Sequence, residues 1–129
     1  MLPRNPLHAL FAEPRKTKYG NRKVAAPDGG KPFDSAAEAR RHGELALLQR
    51  AGQIRDLRRQ VPYVLVPPQR DANGKAVRAV KYVADFVYVD GSTGLEVVED
   101  VKGVRTEGYV LKRALMLFSY GITIREVGK

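Results

Sequence analysis

Apolar residues recur at two different spacings along the chain, and each spacing predicts a different kind of element. In the segment 33–52 three apolar residues recur at the spacing of one helix face. These residues are Ala37, Leu45 and Leu48. Asp34 or Ser35 can cap the first turn, and Ser35 followed by Glu38 fits a capping box. We therefore predict a helix that runs to about residue 51 and ends at Gly52.

Apolar and β-branched residues then dominate the segments 61–66 and 77–89, which predict strands. Pro67 and Pro68 end the first segment, and Asn73-Gly74 marks a turn before the second. Strict alternation assigns the side chains of the second segment to two faces. One face carries Tyr82, Ala84, Phe86 and Tyr88, and the other carries Val83, Asp85, Val87 and Val89. An acid therefore lies among valines on one face of this strand.

The remaining sequence predicts a strand over 95–102, a helix over 108–120 that ends at Gly121, and a last strand over 122–127. In the strand 95–102, Asp100 and Lys102 share a face, and Glu99 lies on the opposite one, where we expect it to be solvated or salt-bridged. Strands joined by turns pair antiparallel, and a strand–helix–strand unit favours a parallel crossover. The order helix, three strands, helix, strand thus predicts an α/β fold with a mixed central sheet flanked by helices.

Charge is the feature of the composition that bears most on function. The 129 residues include 23 Lys plus Arg against 14 Asp plus Glu, for a formal net charge of +9. This excess favours nucleic acid as the partner over the alternative of a merely basic protein. Residues 1–23 contain three prolines and a basic cluster, which predicts a flexible tail ahead of one domain over 24–129.

Other classes of protein and site are disfavoured by what the composition lacks. With no cysteine, disulfides and thiolate metal sites are excluded, and only His8 and His42 could supply imidazole. No apolar run approaches the roughly 20 residues of a membrane-spanning helix. The prolines and charges near the amino terminus do not fit a signal peptide. We expect a cytoplasmic protein with no membrane partner.

Asp85, Asp100 and Lys102 form the one constellation that suggests chemistry. Neighbouring strands lie about 4.8 Å apart, so two carboxylates that face each other can share a cation. Oxygen ligands of this kind suit Mg²⁺ or Mn²⁺, and a metal held by carboxylates can activate water against a phosphodiester. The lysine can orient the water or stabilise developing charge. Spacing alone leaves a structural ion pair between Lys102 and an aspartate about equally well supported.

Six segments together resemble the PD-(D/E)XK nuclease superfamily, and within it a phage-encoded family of unknown function, similar to Holliday-junction resolvases and endonucleases. They are KYGNRK (18–23), FDSAAEARRHGELALLQRAGQI (33–54), LRRQVPYVL (57–65), YVADFVY (82–88), VVEDVKG (97–103) and YVLKRALMLFSYGI (109–122). The resemblance covers most of the chain after residue 17. It implies a restriction-endonuclease-like αβββαβ core and a Mg²⁺- or Mn²⁺-dependent DNA endonuclease.

The resemblance also implies roles for individual residues. Asp85 matches the first metal-binding aspartate, and Asp100 and Lys102 match the acid and the lysine of the signature. The superfamily's proline is replaced by Ala84. The further acid on the first helix is Glu38 or, as an alternative, Glu44. Gln60 matches a glutamine that some relatives place near the metal.

Several basic residues are candidates for binding DNA phosphates, although a solvated surface is the common alternative. They are Lys18, Arg22 and Lys23 in the tail and Lys112 and Arg113 on the second helix. Core packing is the expected role of Tyr19, Tyr63 and Tyr109, and a structural role is expected for His42.

The resemblance to phage proteins suggests branched recombination or replication intermediates as substrates, in the host cytoplasm. An enzyme that cuts two symmetric strands would be a homodimer. A non-catalytic nucleic-acid-binding module that retains the nuclease fold is the main alternative. A small structural protein of a ribonucleoprotein or virion is another.

Overall fold

The structure is a computed structural model that describes residues 23–26 and 30–128. The chain divides into two compact units, Met1–Ala36 and Ala37–Lys129. In the described part of the first unit, Val24 and Phe33 form an antiparallel bridge through two backbone hydrogen bonds of 2.8 and 2.7 Å. The candidate site residues of the first helix, the sheet and the second helix all belong to the second unit.

Two helices and six strands are present in the described residues. In chain order they are α1 (Ala36–Arg50), β1 (Ile54–Val66), β2 (Gln69–Arg70), β3 (Ala76–Val77), β4 (Val80–Asp90), β5 (Glu96–Lys102), α2 (Glu107–Tyr120) and β6 (Arg125–Gly128). Four strands form one sheet in the order β1-β4-β5-β6, and β2 pairs with β3 in a separate two-stranded ribbon.

The sheet is mixed, as predicted. β1 pairs antiparallel with β4, β4 pairs antiparallel with β5, and β5 pairs parallel with β6. The parallel pair is joined by α2, so the predicted crossover is confirmed. The mixed α/β fold agrees with an αβββαβ order of the core elements.

Three strand boundaries differ from the predicted ones. The first strand begins at Ile54, seven residues before the predicted start, because β1 is an edge strand whose charged side chains reach solvent and hide the apolar pattern. The predicted segment 77–89 is divided between β3 and β4. The last strand begins at Arg125, after an irregular stretch that follows the end of α2.

The two helices pack on opposite faces of the sheet. Leu45 of α1 belongs to a buried cluster with Ile54, Phe86 and Tyr88. Tyr109 and Met116 of α2 belong to a second buried cluster. The strand and loop members of this second cluster are Leu65, Tyr82, Ala84, Val87, Val98 and Ile124. Burial of these side chains, at roughly 25 cal/mol per Å² of apolar surface, is the main source of stability on both faces.

These clusters correct the predicted alternation in β4. Tyr82 and Ala84 pack in the α2 cluster, but Phe86 packs in the α1 cluster, so the strand changes faces at Asp85. By the ladder on either side, Gln60 of β1 lies across from Asp85, and its backbone φ is +52°. This value lies in the left-handed backbone region, which costs a residue other than glycine about 1–2 kcal/mol of stability. The interruption of the regular pleat therefore lies where the candidate site is.

The ends of α2 follow from local sequence. The Thr106 hydroxyl accepts a hydrogen bond from the Tyr109 N–H at 3.1 Å, which satisfies a free donor of the first turn. At the other end Gly121 adopts φ +67°, and its N–H donates to Leu117 O. The predicted end at Gly121 is confirmed, and the helix starts at Glu107, one residue before the predicted start.

Candidate active site

Glu38 and Asp85 are joined by the amide of Gln60. Gln60 Nε2 lies 3.0 Å from Glu38 Oε1 and 3.4 Å from Asp85 Oδ1. Glu38 is 3% exposed, although it belongs to the first turns of α1, where an ordinary capping glutamate would reach solvent. The positive φ of Gln60 and this double contact together bring a helix residue and a strand residue to one place.

Asp85 lies where β4 and β5 separate. The last described pair of their ladder is Phe86 with Glu99, and beyond it the Val101 N–H donates to Asp85 Oδ2 at 2.8 Å. The carboxylate thus takes the place of a strand partner. Burial, followed by the nearby charge of Asp100, raises the pKa of Asp85 to about 7, although the Val101 N–H and Lys102 act in the opposite direction.

Asp100 is almost fully buried and only partly satisfied. Its Oδ2 accepts a hydrogen bond from the Tyr82 hydroxyl at 2.7 Å. Lys102 Nζ lies 3.1 Å from Oδ1, within ion-pair distance, but at an angle that makes no hydrogen bond. Burial and the carboxylates of Asp100 and Asp85 raise the pKa of Tyr82, so this hydroxyl stays protonated and acts as a donor. Oδ1 is therefore a buried oxygen with unused capacity for a cation.

Lys102 is held over an aromatic ring. Its Nζ lies 4.2 Å from the centroid of Tyr109, a cation–π distance. The Tyr109 hydroxyl donates to Glu126 Oε2 at 2.7 Å, and Arg105 and Arg113 also bind Glu126. These partners lower the pKa of Glu126 to about 2, with the hydrogen bond from Arg105 as the largest cause. The ring beneath the lysine is thus anchored by a charged network.

The other predicted candidates lie elsewhere. The Glu44 side chain is 63% exposed and pairs with Arg41, so the acid that the structure brings to Gln60 and Asp85 is Glu38. His42 stacks on Phe86 at 6.0 Å between centroids, in the α1 layer. Tyr63 makes an edge contact with Tyr120.

The structure describes three of the five predicted phosphate-binding residues. Arg113 pairs with Glu126 at 2.8 Å, so its guanidinium is already engaged. Lys112 is half-buried on α2, and Lys23 is exposed in the first unit. Lys18, Arg22, Tyr19 and His8 lie outside the described residues, and so does almost all of the predicted tail.

Glu99 lies on the opposite face from Asp100, as predicted, and it is salt-bridged. It is fully buried, however, and not solvated. Arg41 donates to both of its oxygens at 2.8 Å, and the Tyr88 hydroxyl donates to Oε2. Burial raises the pKa of Tyr88 to about 12, and the bond to Glu99 contributes. This acid is fully compensated on its own face.

The chemical types of the side chains at this site suit a divalent cation. Three carboxylates and the amide of Gln60 offer the hard oxygen atoms that Mg²⁺ and Mn²⁺ prefer. Among residues 23–26 and 30–128, no group of three Asp, Glu or His side chains is already arranged as a complete metal site. Gln60 Nε2 lies between the carboxylates of Glu38 and Asp85. The nitrogen and the oxygen of an amide have nearly the same shape, and only their hydrogen-bond partners distinguish them. The unused Asp100 Oδ1 is the structural observation in favour of a cation.

Three residues have polar roles that sequence reasoning missed, two beside the candidate site and one at Glu99. Tyr109 was expected to contribute to packing and Tyr82 was assigned only to a strand face, yet their hydroxyls bind Glu126 and Asp100. Arg41 was not singled out at all. An arginine between two glutamates on a helix gives little indication, because the partner Glu99 is 58 residues away in the sequence.

One family model matches the sequence over residues 16–126, and it is described as "Protein of unknown function (DUF1064)". No curated protein and no solved structure matches the chain. In the described residues, no helix has the length and apolar character needed to cross a membrane. Because the family match covers most of its length, this chain belongs to the DUF1064 family.

Proposed function

We propose that this protein is a Mg²⁺- or Mn²⁺-dependent endonuclease that hydrolyses phosphodiester bonds in DNA. The observation that carries the proposal is the pair of incompletely compensated carboxylates beside Lys102, that of the half-buried Asp85 and that of the buried Asp100. Among the described residues Asp100 Oδ1 has no hydrogen-bond donor, and the pKa of Asp85 is raised to about 7. Buried acids that repel each other are costly to stability, and such groups concentrate at functional sites.

Asp85, Asp100 and Glu38 are the residues that would hold the metal, with Gln60 as a further oxygen donor. When bound, a divalent cation supplies neutralisation of phosphate charge and a lower pKa for a coordinated water. It also removes the repulsion between Asp85 and Asp100. The net charge of +9 favours the approach of a polyanion to this acidic centre.

The protein's own groups have separate tasks in the reaction. Tyr82 and the Val101 N–H fix one oxygen each of Asp100 and Asp85, so that the second oxygen of each is presented in a set direction. Lys102, held between Asp100 and the ring of Tyr109, is placed to orient water or to stabilise charge on the phosphate. In the hydrolysis, the water oxygen bonds to phosphorus, the bond to the leaving oxygen breaks, and a proton passes to that oxygen.

The substrate follows from the resemblance in the sequence. Branched recombination or replication intermediates of phage DNA, in the host cytoplasm, are the proposed targets. The main alternative is a binding module that retains the fold without the chemistry. Lys102 separates the two functions, because a binder has no need of a lysine poised against a buried acid.

The test is a cleavage panel with the full chain. Duplex, single-stranded, flap and four-way-junction DNA are incubated with Mg²⁺, with Mn²⁺ and with a chelator. Lys102→Ala is compared with Lys75→Ala, which removes an equal charge from an exposed turn position. We expect metal-dependent cleavage that Lys102→Ala reduces by about 100-fold or more, as for loss of a charge-stabilising group. DNA binding should remain, and Lys75→Ala should behave like the parent protein.

Two outcomes would contradict the proposal. Binding without cleavage of any substrate in either metal supports the non-catalytic module. Equal cleavage by Lys102→Ala and Lys75→Ala would show that Lys102 has no role in the reaction. The assignment of the active site to these residues would then be wrong.

A further inference from the structure

The solvent side of α2 is apolar over most of the helix. Its inner side packs against the sheet through Tyr109 and Met116. On the outer side, five apolar residues are exposed: Val110, Leu111, Ala114, Leu117 and Phe118. Phe118 is 88% exposed and Leu111 61%. Monomeric proteins rarely expose a contiguous apolar patch of more than a few hundred Å² without a partner for it.

The five positions are symmetric about the middle of the helix. With Ala114 at the centre, Leu111 and Leu117 lie three residues to either side, and Val110 and Phe118 lie four to either side. At about 100° per residue, residues seven apart share a stripe, so Val110 and Leu117 form one stripe and Leu111 and Phe118 the other. Ala114 lies between the stripes.

An antiparallel copy of the same helix matches this arrangement. A two-fold axis at Ala114 places each Leu111 opposite the other copy's Phe118, and each Val110 opposite the other copy's Leu117. The small Ala114 at the crossing allows the two backbones to approach closely. An isologous dimer requires one patch that is complementary to itself. The apolar positions on this face have the same spacing from Ala114 in both directions along the helix, so the face meets this requirement.

Charge does not oppose the contact. Although each chain carries +9, the basic residues of α2 lie off the five-residue face. Arg113 pairs with Glu126, and helical periodicity places Lys112 on the far side of the helix from Ala114. Beside the stripe of Val110 and Leu117, a groove of about 460 Å³ continues the apolar surface to Ile122.

We infer that this face of α2 is a homodimer interface, with the helices of two copies packed antiparallel across a two-fold axis at Ala114. The face forms the apolar centre of the contact, and the walls of the groove form part of its rim. A stable interface buries about 800 Å² on each partner, mostly around such a centre. The inference rests on the exposed side chains of α2 and does not depend on the proposed nuclease activity.

The first experiment measures the mass of the full chain in solution by light scattering and sedimentation over a range of concentrations. Leu111→Glu is compared with Leu47→Glu, an equally exposed leucine on α1. We expect a dimer that Leu111→Glu weakens by about 100-fold or more, since a charge buried in an apolar contact costs several kcal/mol. Leu47→Glu should leave the dimer intact.

The second experiment uses the lack of cysteine in the chain. Ala114→Cys should form a disulfide-linked dimer on mild oxidation, because the two-fold axis brings the two residues 114 together. Ser119→Cys lies on the same helix but off the face, and it should link far more slowly. Far-ultraviolet circular dichroism checks that every variant keeps its fold.

A monomer at all concentrations up to about 100 µM, which corresponds to a very weak association, would overturn the inference. So would a dimer that Leu111→Glu leaves intact, because the contact would then lie on another surface. Equal cross-linking of the residue 114 and residue 119 variants would overturn the antiparallel arrangement.

Discussion

Glu99 and Asp100 are neighbours in β5, both are buried, and they lie in very different environments. Glu99, 0% exposed, has an arginine fork on both oxygens and a tyrosine hydroxyl. Asp100, 3% exposed, has one tyrosine hydroxyl and a lysine at an angle that leaves Oδ1 without a hydrogen bond. The first acid is compensated, and the second keeps capacity for a ligand. Burial alone does not distinguish a structural acid from a functional one, whereas the number and geometry of its partners do.

The largest effect is expected from Asp100→Asn. The change removes a metal-binding charge and should lower DNA cleavage by about 1,000-fold, the loss expected when a charged group of a site is removed. It also removes repulsion on Asp85, so the melting temperature should stay the same or rise. Cleavage assays and thermal unfolding measure the two effects. A large loss of stability would mean that Asp100 is structural, as Glu99 is.

Arg41→Ala should show the opposite pattern. The change leaves Glu99 buried without its cation, which costs about 3–5 kcal/mol in free energy of unfolding. Urea unfolding measures the cost. Arg58→Ala breaks an exposed pair with Glu96 and should cost less than about 1 kcal/mol. If Arg41→Ala lowers the free energy of unfolding as little as Arg58→Ala does, the Arg41–Glu99 pair does not stabilise the fold in the way its geometry indicates.

Glu38→Gln and Glu44→Gln test which acid of α1 belongs to the site. Glu38 shares the Gln60 amide with Asp85, so its loss should lower cleavage by about 100-fold. Glu44 is exposed and pairs with Arg41, and its variant should cleave normally. Cleavage rates at saturating Mg²⁺ measure both. If Glu44→Gln lowered the cleavage rate more than Glu38→Gln, the exposed Glu44 would be the metal-binding acid of α1.

Tyr82→Phe and Tyr88→Phe remove one hydroxyl from each side of the comparison. The Asp100 carboxylate loses the hydrogen bond from the Tyr82 hydroxyl in the first variant, so we expect a loss of stability of about 1–2 kcal/mol together with roughly tenfold slower cleavage. In the second variant Glu99 keeps both bonds to Arg41, so stability should fall by less and cleavage should not change. Slower cleavage in both variants would show that the hydroxyls act through packing.

The last prediction concerns pH. The pKa of Asp85 is raised to about 7, mainly by burial and then by Asp100, whereas an aspartate in the unfolded chain titrates near 4. The folded protein therefore binds this proton more tightly, and its stability should fall as the pH rises from about 4 to about 7. Each pKa unit corresponds to about 1.4 kcal/mol, so a change of at least that size is expected in a chelator.

Asp85→Asn is the control for this pH dependence, because it lacks the titrating group. Its unfolding free energy should vary less over the same pH range. Addition of Mg²⁺ at pH 8 should stabilise the parent protein and leave Asp85→Asn nearly unaffected. If the unfolding free energies of the two proteins had the same pH dependence, Asp85 would not be the group that titrates.

Local sequence determined the helices, the order of the elements and the mixed sheet. The start of α1 just after Ser35, the glycine at residue 121 and the strand–helix–strand order depend on neighbours within a few residues, and they were predicted. The aspartates and Lys102 were also identified as candidates, because an acid among valines is costly without a partner. The polar first half of β1 was missed, since an edge strand can carry charges on an extended backbone.

Only the tertiary structure decided which acids are compensated. The change of face at Asp85 breaks the alternation from which the faces of β4 were predicted, and it depends on Gln60 in a strand 25 residues away. The choice of Glu38 over Glu44, and the burial of Glu99 against Arg41, also depend on contacts across the fold. Sequence periodicity reports which residue types share an element. The cost of a buried charge depends on atoms that the folded chain brings within 3 Å of it.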